Sequence, residues 1–364
     1  MKNILLLCES YGAGTKTYID SIMSNQSKFN NCKFTVFVSS TRLSKEEEIN
    51  NSFIVEDNLS FGKSFKRFIS ALRKIHYVVK ERDINIIHAN STFSGLLVYF
   101  YSLYNKEVSI IYTPHGYYSF KPMKKFKKKI VCLIERYINK RCNKIIHVSK
   151  SEERQALEHK VVSPENSLVI FNGVDSPGVR KIISNDKKTF NIVNLARVDD
   201  QKNPYDFLKI AKSVVKHRDN VQFIWAGDGK YLDDIKGCIR EENLEHKIKF
   251  IGFLKDKKQL LSEADIYLST SHYEGLPFSV VEAMSYGVPL LLSSNVGHSD
   301  LIEDGVNGYL YRTKDISHAS DYIYNILDSG ELHRSLSENC YQIYEKKFSL
   351  DTMLKRLSST YNNL

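Results

Sequence analysis

Residues 266–293, IYLSTSHYEGLPFSVVEAMSYGVPLLLS, decide the fold class of this chain. Two short apolar runs, Ile266–Ser269 and Val288–Ser293, have the length and composition of buried strands. The segment between them predicts a helix, because Pro277 lies near its start and Gly287 just past its end, where helices favour these residues. A buried strand, a helix and a second buried strand in this order indicate a parallel sheet covered by helices.

The same alternation runs along almost the whole chain. In the first half the apolar runs predict six strands, at Ile4–Cys8, Lys33–Ser39, Ile84–His88, Ser109–Thr113, Lys144–Val148 and Ser167–Phe171, and a helix over Phe61–Arg82. In the second half they predict strands at Phe190–Ala196, Val221–Ala226, Ile248–Ile251, Ile266–Ser269 and Val288–Ser293, with helices at about 204–217, 230–242, 257–263, 277–286 and 317–328.

The length of 364 residues is enough for two domains that each bury a core. The strand–helix pattern is interrupted after the motif Asn-Gly-Val-Asp at 172–175. We therefore predict an N-terminal domain at 1–175, a linker at 176–189, a C-terminal domain at 190–340 and a final helical segment at 341–364 that packs back on the N-terminal domain. The predicted fold class is α/β, with two doubly wound parallel-sheet domains that face each other across a cleft. Ligands of such sheets bind beyond the carboxyl ends of the strands.

Composition and short motifs exclude several classes of protein. The longest apolar stretch, Leu96–Tyr104, is half the length of a membrane-spanning helix, and the apolar run at the N-terminus is too short for a signal peptide. We therefore expect a soluble intracellular protein. The six cysteines form no C-x-x-C pair and share no spacing with histidines, so neither a zinc site nor a redox motif is predicted.

The net charge of +10 is unevenly distributed. Residues 1–186 hold 29 Lys and Arg against 17 Asp and Glu, whereas residues 187–364 hold 23 against 25. Nine basic residues and one acid lie between Lys121 and Arg141, interleaved with apolar residues. Such a stretch indicates an anionic partner: a membrane surface, a nucleic acid or a phosphorylated substrate.

Glycines and cations follow four successive strands of the second half. Arg197 and Lys202 lie in the loop after the first of these strands, where a guanidinium and an ammonium could grip a diphosphate; two solvated surface cations are the alternative. Gly227 follows the next strand, and Gly252-Phe253 the one after it. Each glycine alone indicates only a sharp turn, but their coincidence in one domain favours a binding site.

Residues 266–293 contain the strongest candidates for ligand-binding residues. Glu274 precedes the predicted helix and Glu282 lies on it. The free N–H groups of Gly275 to Phe278 would favour an anionic ligand at the positive end of the helix dipole. A carboxylate on a nearly apolar helix needs a partner, and for Glu282 this is either a ribose diol or an internal salt bridge.

Two features of the first half are weaker indications of a functional site. Gly12-Ala13-Gly14 follows the first strand, but Thr17 breaks the dinucleotide fingerprint and Thr15 breaks the P-loop, so a plain tight turn is as good an interpretation as a ligand loop. His88 and His115 each end a strand. We interpret His88 as a packed residue, whereas for His115 packing and catalysis remain equally open.

Together these motifs resemble the retaining glycosyltransferases of family 4, which have the GT-B fold. Glu274-x7-Glu282 is similar to the paired-glutamate motif of that family, Arg197 and Lys202 to its diphosphate-binding cations, and Gly12–Gly14 to its N-terminal glycine loop. Residues 113–116 (TPHG), 172–175 (NGVD) and 305–308 (GVNG) also recur in members that build bacterial surface polysaccharides. The resemblance covers essentially the whole chain.

The resemblance implies a sugar transfer from a nucleotide donor without metal or cofactor and with retained anomeric configuration. Arg197 and Lys202 would hold the diphosphate, Glu282 the ribose, Glu274 the donor sugar and the backbone near Phe253 the base. His115 would lie beside the sugar, and Gly14 would let the diphosphate approach. The catalytic residues implied are Glu274, His115, Arg197 and Lys202; the donor-binding residues are Gly14, Arg197, Lys202, Gly227, Phe253, Glu274, Gly275, Leu276 and Glu282.

One departure from the family concerns the first half, which has His88-Ala89-Asn90 where many members have His-x-His. Because no carboxylate there is in an evident nucleophile position, we favour front-face transfer, in which the leaving phosphate helps to deprotonate the acceptor. The donor expected from the family is a UDP-sugar.

The basic stretch completes the sequence-based hypothesis. We expect a polyprenyl-diphosphate-linked saccharide as acceptor and a peripheral attachment to the anionic inner face of the plasma membrane through Lys124, Lys125, Lys127, Lys128 and Lys129. A solvated helix face is the alternative for this stretch. A GT-B-fold sugar-nucleotide epimerase is the rival enzyme; a nucleic-acid-binding protein is disfavoured, because no recognised nucleic-acid motif accompanies the cations.

Overall fold

The computed structural model describes residues 1–9, 11–39, 52–56, 65–120, 123–178 and 189–364. The chain forms two compact units. One combines Met1–Asn172 with Asp351–Leu364, and the other is Gly173–Leu350. Each unit contains one sheet whose strands all run parallel. The α/β fold class predicted from the sequence is therefore confirmed.

The first unit is built on a seven-stranded sheet of order β3-β2-β1-β4-β5-β6-β7. Its strands are β1 Lys2–Cys8, β2 Cys32–Ser39, β3 Phe53–Glu56, β4 Ile86–Asn90, β5 Ser109–Thr113, β6 Lys144–His147 and β7 Ser167–Val169. The sequence predicted six of these and missed β3, a four-residue edge strand that pairs with Val36–Ser39 of β2. The side chains of Phe53, Ile54 and Val55 are only half-buried, and this apolar run is only three residues long.

Helices cover this first sheet. They are α1 Ala13–Ser24, α2 Phe65–Glu81, α3 Thr92–Tyr104, α4 Lys125–Lys140, α5 Lys150–Glu158 and, from the end of the chain, α12 Leu350–Asn362. The apolar faces of α2 and α3 pack on the sheet through residues such as Ile75, Leu97 and Tyr101, which are completely buried. The predicted start of α2, residues 61–64, lies outside the described residues.

The second unit has a six-stranded sheet of order β10-β9-β8-β11-β12-β13. Its strands are β8 Phe190–Leu195, β9 Val221–Ala226, β10 Ile248–Phe250, β11 Ile266–Ser269, β12 Leu290–Ser293 and β13 Gly308–Tyr311. Its helices are α6 Pro204–Val215, α7 Leu232–Glu241, α8 Lys258–Glu263, α9 Phe278–Ser285, α10 Ile316–Asp328 and α11 Gly330–Ile343. The sequence missed β13, which lies at the sheet edge beside β12.

The chain returns to the first unit at Asp351, later than the limit of 340 suggested by the sequence, so residues 341–350 belong to the second unit. On α12, Leu357 and Tyr361 are fully buried. The Tyr361 hydroxyl lies 2.7 Å from Nδ1 of His88 on β4, and its ring packs against Phe29 and Phe34. The last helix is therefore an integral part of the first unit. Most of the expected linker, residues 179–188, lies outside the described residues.

Candidate active site

The loops after β8 and β11 are joined at the carboxyl end of the second sheet. These strands are neighbours, with Ile192 paired to Ile266, and the strand order changes direction between them. The Thr270 hydroxyl donates to the carbonyl of Lys202 (2.9 Å), and the His272 N–H donates to the carbonyl of Gln201 (2.8 Å). Parallel sheets bind ligands at such a point, so the two loops form the candidate site.

Lys202 and Glu274 form the buried centre of this site. Lys202 Nζ lies 2.6 Å from Glu274 Oε1, and the two side chains are only 14% and 7% exposed. Burial raises the pKa of the Glu274 carboxyl, but the Lys202 ammonium, with smaller effects of His298 and Ser271, more than offsets this and leaves the pKa below its ordinary value. Glu274 is therefore a buried carboxylate that is charged at neutral pH and depends on a cation.

Arg197 lies on the same loop as Lys202 but has a different environment. Its side chain is 58% exposed and contacts Asp199 (3.0 Å) and Gln201 (3.3 Å). Gln201 in turn donates to the carbonyl of Tyr273. The loop thus presents one buried cation and one accessible cation, and no described contact joins Arg197 to Glu274.

One carboxylate oxygen of Glu282 has a partner among the described residues and the other has none. Glu282 lies on α9, and its Oε1 is 2.5 Å from Nζ of Lys257, so the internal salt bridge left open by the sequence is present. Its Oε2 is buried and has no hydrogen-bond partner among the described residues. A buried carboxylate oxygen without a donor is unfavourable. This oxygen is therefore suited to accept a hydrogen bond from a ligand once Lys257, whose side chain is 45% exposed, moves.

The loop that precedes α9 carries Gly275 and Leu276. Leu276 is buried, and α9 begins at Phe278 with no side chain capping its first N–H groups. Backbone donors at the start of a helix attract anions. Anion binding by the N–H groups of Gly275 to Phe278 stays a prediction from the sequence.

Gly227 and Phe253 follow β9 and β10. Gly227 has φ +148°, and a Cβ there would lie 1.9 Å from the carbonyl oxygen of Ala196, so the fold itself requires glycine. The Phe253 ring is strongly exposed, and its N–H donates to Asp228 Oδ1 (2.9 Å). An exposed aromatic ring at a strand end offers a stacking surface.

Sequence reasoning missed His298, in the loop after β12. This histidine is fully buried, and it interacts electrostatically with both Glu274 and Lys202. A glycine and a polar residue after a strand are the signal that identified the other strand ends, and Gly297-His298 carries the same signal. Only the folded chain shows that this loop reaches Glu274.

In the first unit, His115 lies two residues after β5 and has φ +53°. Its Nε2–H donates to Asn90 Oδ1 (3.0 Å), and its ring packs edge-on against Tyr18. Loss of hydration lowers the pKa of the His115 imidazole to about 3, so the ring is neutral at physiological pH. His88 is buried, with both nitrogens hydrogen-bonded, to Tyr361 and Thr113, as expected of a packed residue.

Gly14 lies in the first turn of α1. Gly12 precedes this helix in an extended conformation, and no side chain caps the helix start. The N-cap residue therefore contributes no side-chain acceptor to the first N–H groups of α1. Whether they bind a ligand stays a prediction from the sequence.

The basic stretch folds as α4, preceded by Lys124. One face of α4 is buried and consists of Glu135, Ile138 and Asn139. The other carries the lysines together with exposed apolar side chains, of which Phe126 is 77% exposed; the others are Ile130, Leu133, Ile134 and Tyr137. A depression of about 500 Å³ lies on it, lined by Lys125, Lys128, Lys129, Cys132, Leu133, Arg136 and His159. Lys121 lies outside the described residues.

The described ranges contain neither a membrane-spanning helix nor a group of side chains that could hold a metal ion. No helix within them combines the length and the hydropathy needed to cross a membrane. Three or more His, Cys, Asp or Glu side chains are nowhere grouped closely enough, in that part of the chain, to hold a metal ion.

The family model "Glycosyl transferases group 1" matches residues 175–343, and "Glycosyltransferase Family 4" matches residues 13–176. Among curated proteins, the chain is 24% identical over 318 residues to the UDP-Gal:α-D-GlcNAc-diphosphoundecaprenol α-1,3-galactosyltransferase of Escherichia coli, a match covering 84% of this chain and 81% of that protein. It is 26% identical to an uncharacterized 41.2 kDa protein in the cps region of Klebsiella pneumoniae, over 99% of both chains.

Among solved structures, the Anabaena protein HepE in complex with UDP superposes with a TM-score of 0.81 at 19% identity, over the whole of both chains. The predicted GT-B fold is thereby confirmed. Since the two matched models together span residues 13–343, the chain belongs to the family 4 glycosyltransferases.

Proposed function

We propose that this glycosyltransferase moves a hexose, with retained configuration and without a metal ion, from a UDP-sugar to a polyprenyl-diphosphate-linked saccharide. The observation that carries the donor part is the pair of motif glutamates in the second unit. Glu274 is held by Lys202, and Glu282 is held by Lys257 through one oxygen while the other has no described partner. Both side chains carry oxygens that can accept hydrogen bonds from hydroxyl groups of a donor.

The diphosphate takes the place of Glu274 as the partner of Lys202. A lysine side chain is long enough to exchange one anion for another, and Arg197 on the same loop is already accessible. At an effective dielectric constant of about 20, each cation within about 4 Å of a phosphate contributes about 4 kcal/mol of attraction. The first N–H groups of α9 add donors to the same anion.

The two glutamates then bind hydroxyl groups. Glu282 accepts from the ribose through Oε2, and Glu274, released from Lys202, accepts from the sugar. Charge on the departing diphosphate is stabilised by fixed cations, which is the largest electrostatic demand of the reaction. No carboxylate is assigned as nucleophile: the leaving phosphate takes the acceptor proton on the same face of the sugar.

A thermal-shift panel tests the donor assignment. UDP-, GDP- and ADP-sugars are compared on the wild type, Glu282→Ala, Arg197→Ala and the exposed control Glu245→Ala. We expect a UDP-sugar to stabilise the wild type and the control, because a bound ligand stabilises the folded state, and to have no effect on the two site variants. Stabilisation by no nucleotide sugar, or equal stabilisation of all variants, contradicts the proposal.

The E. coli relative named above uses, by its name, a diphosphoundecaprenol-linked acceptor. We extend that acceptor class to this chain and place α4 against the inner membrane face. The helix combines lysines with exposed apolar side chains. Such a face binds an anionic bilayer through electrostatic attraction and through burial of apolar area.

Sedimentation with liposomes tests this placement. Anionic and neutral vesicles are compared for the wild type and for the variant in which Lys124, Lys125, Lys127, Lys128 and Lys129 are replaced by Glu. The matched control carries five lysine-to-glutamate changes in the second unit, at Lys209, Lys216, Lys236, Lys249 and Lys346. We expect only the α4 variant to lose anionic-vesicle binding; undiminished binding removes the membrane proposal.

Turnover separates the transferase from the rival epimerase. Incubated with the nucleotide sugar alone, the protein should leave the sugar's configuration unchanged. Formation of an epimeric nucleotide sugar without any acceptor would favour the epimerase.

A further inference from the structure

The loop after β12 holds His298 in a fixed orientation. The ring nitrogen Nδ1 lies 2.7 Å from the carbonyl oxygen of Ser293. Asn295 fixes the loop from the other side: its Oδ1 accepts from the His298 N–H (3.1 Å), and its amide donates to the carbonyl of Ser271 (3.0 Å). The Asn295 amide nitrogen also lies near Nδ1, at 2.9 Å, but the contact with the carbonyl oxygen is shorter. A carbonyl oxygen can only accept, so Nδ1 of His298 carries the proton and the Asn295 amide donates to Ser271 instead.

The second ring nitrogen of His298 is consequently an acceptor without a donor. Burial is the main influence on the ring and lowers the pKa of His298 to about 4, despite the opposing effect of Glu274, so the imidazole is neutral and Nε2 keeps its lone pair. Nε2 is buried and has no hydrogen-bond partner among the described residues. A buried acceptor left unsatisfied in a native fold requires an explanation.

The position of the loop supplies that explanation. A Cβ on Gly297 would lie 2.4 Å from the carbonyl oxygen of Gly275 and 2.8 Å from Cβ of Glu274. The loop after β12 is therefore packed directly on the loop that carries the first motif glutamate. His298, Glu274 and Lys202 interact electrostatically as one buried cluster.

We propose that Nε2 of His298 accepts a hydrogen bond from a hydroxyl group of the donor sugar, beside the hydroxyl bound by Glu274. This inference rests on the proposed function. The Lys202 ammonium contacts Glu274 at 2.6 Å, and its transfer to the diphosphate opens the cluster to the sugar. His298 is thus a specificity residue of the donor site.

The cluster also defines the class of sugar. Once Lys202 has moved, the site presents two acceptors side by side, one charged and one neutral, and no cation. Two adjacent hydroxyl groups on a pyranose ring match this arrangement. A uronic acid is disfavoured, because its carboxylate would meet Glu274 at short range with little water to screen the repulsion. The predicted donor is a neutral hexose with a free vicinal diol.

Two substitutions separate this role from a purely structural one. In His298→Asn the amide nitrogen occupies the place of Nδ1 and retains the bond to Ser293, but the acceptor at Nε2 is lost. In His298→Gln an amide oxygen reaches the place of Nε2 and restores an acceptor there. A residue that only holds the loop would be replaced better by Asn, whereas a residue that binds the sugar would be replaced better by Gln.

The experiment is calorimetric titration of the full chain with UDP, UDP-galactose, UDP-glucose and their 3-deoxy and 4-deoxy analogues. For the better hexose, we expect one deoxy analogue to bind the wild type about 10- to 100-fold more weakly than the parent, the factor typical of one buried hydrogen bond. His298→Asn should bind the parent about as weakly as that analogue and show no further loss with it. His298→Gln should recover affinity, and the dissociation constant of UDP itself should be unchanged in both variants.

Either of two results overturns the inference. One is a deoxy penalty in His298→Asn equal to that in the wild type; the other is a loss of UDP and UDP-hexose affinity by the same factor, as a distorted loop would give. Failure of the proposed function looks different, since then neither UDP nor any UDP-sugar binds the wild type.

Discussion

Replacement of Lys202 by Met tests the buried ion pair most severely. The change keeps the length of the side chain but leaves the Glu274 carboxylate without its cation in a site where both side chains are almost inaccessible. Breaking a buried pair in this way costs about 3–5 kcal/mol. With a urea m-value of about 2 kcal/mol per molar for a unit of this size, the unfolding midpoint should fall by about 1.5–2.5 M.

The assay follows the fluorescence of Trp225, the single tryptophan of the chain, which is buried in the second unit. The matched control is Lys230→Met, since Lys230 and Asp200 form an ion pair with both side chains exposed, and its loss should change the midpoint little. The double variant Lys202→Met/Glu274→Gln removes the buried charge as well and should recover most of the lost stability.

The change of stability with pH should have opposite signs in the wild type and in Lys202→Met. In the wild type the pKa of Glu274 lies below its ordinary value of about 4.3, so the pair stabilises the fold above that pH and the contribution is lost as pH falls through the lowered pKa. In Lys202→Met burial dominates and raises the pKa of Glu274, so this variant should lose stability as pH rises from 5 to 8. A variant within about 0.3 M of the wild-type midpoint at both pH values would refute the reasoning.

Three further predictions concern other parts of the molecule. Gly227→Ala places a Cβ against the carbonyl of Ala196 at φ +148° and should lower the stability of the second unit by at least about 2 kcal/mol in the same urea assay, whereas Gly237→Ala, where a Cβ meets nothing within 4 Å, should not. Tyr361→Ala should destabilise the first unit by about 3–5 kcal/mol, measured by circular dichroism, because a buried ring and its bond to His88 are lost; the exposed Tyr77→Ala is the control. Glu282→Gln should weaken UDP binding in calorimetry by about tenfold but leave binding of 2′,3′-dideoxy-UDP unchanged, because only the ribose hydroxyls distinguish the two ligands.

Much of the fold was predictable because its central strands are buried on both faces. β5, β9 and β11 appear in the sequence as mainly apolar segments, and their predicted limits agree with the structure. β3 and β13 were missed because each is a four-residue edge strand with only three consecutive apolar residues. The late return of the chain at Asp351 depends on which sheet α12 packs against, and this is a property of tertiary structure.

The sequence predicted those features of the site that depend only on residues close together in the chain. The spacing of Glu274 and Glu282 fixes one in a loop and the other on a helix, and the structure agrees. The partners of these residues were not predictable: Lys202 meets Glu274 only because β8 and β11, far apart in sequence, are neighbours in the sheet. His298 carried a strand-end signal, but its burial against Glu274 depends on the packing of a third loop.

The central claim is that cations and helix-end amides of the second unit hold the diphosphate without a divalent ion. Calorimetric titration of UDP into metal-stripped protein, with EDTA and then with manganese, tests it most directly. The account predicts the same dissociation constant in both conditions, with a large loss in Arg197→Ala. Binding that disappears with EDTA and returns with manganese would contradict it.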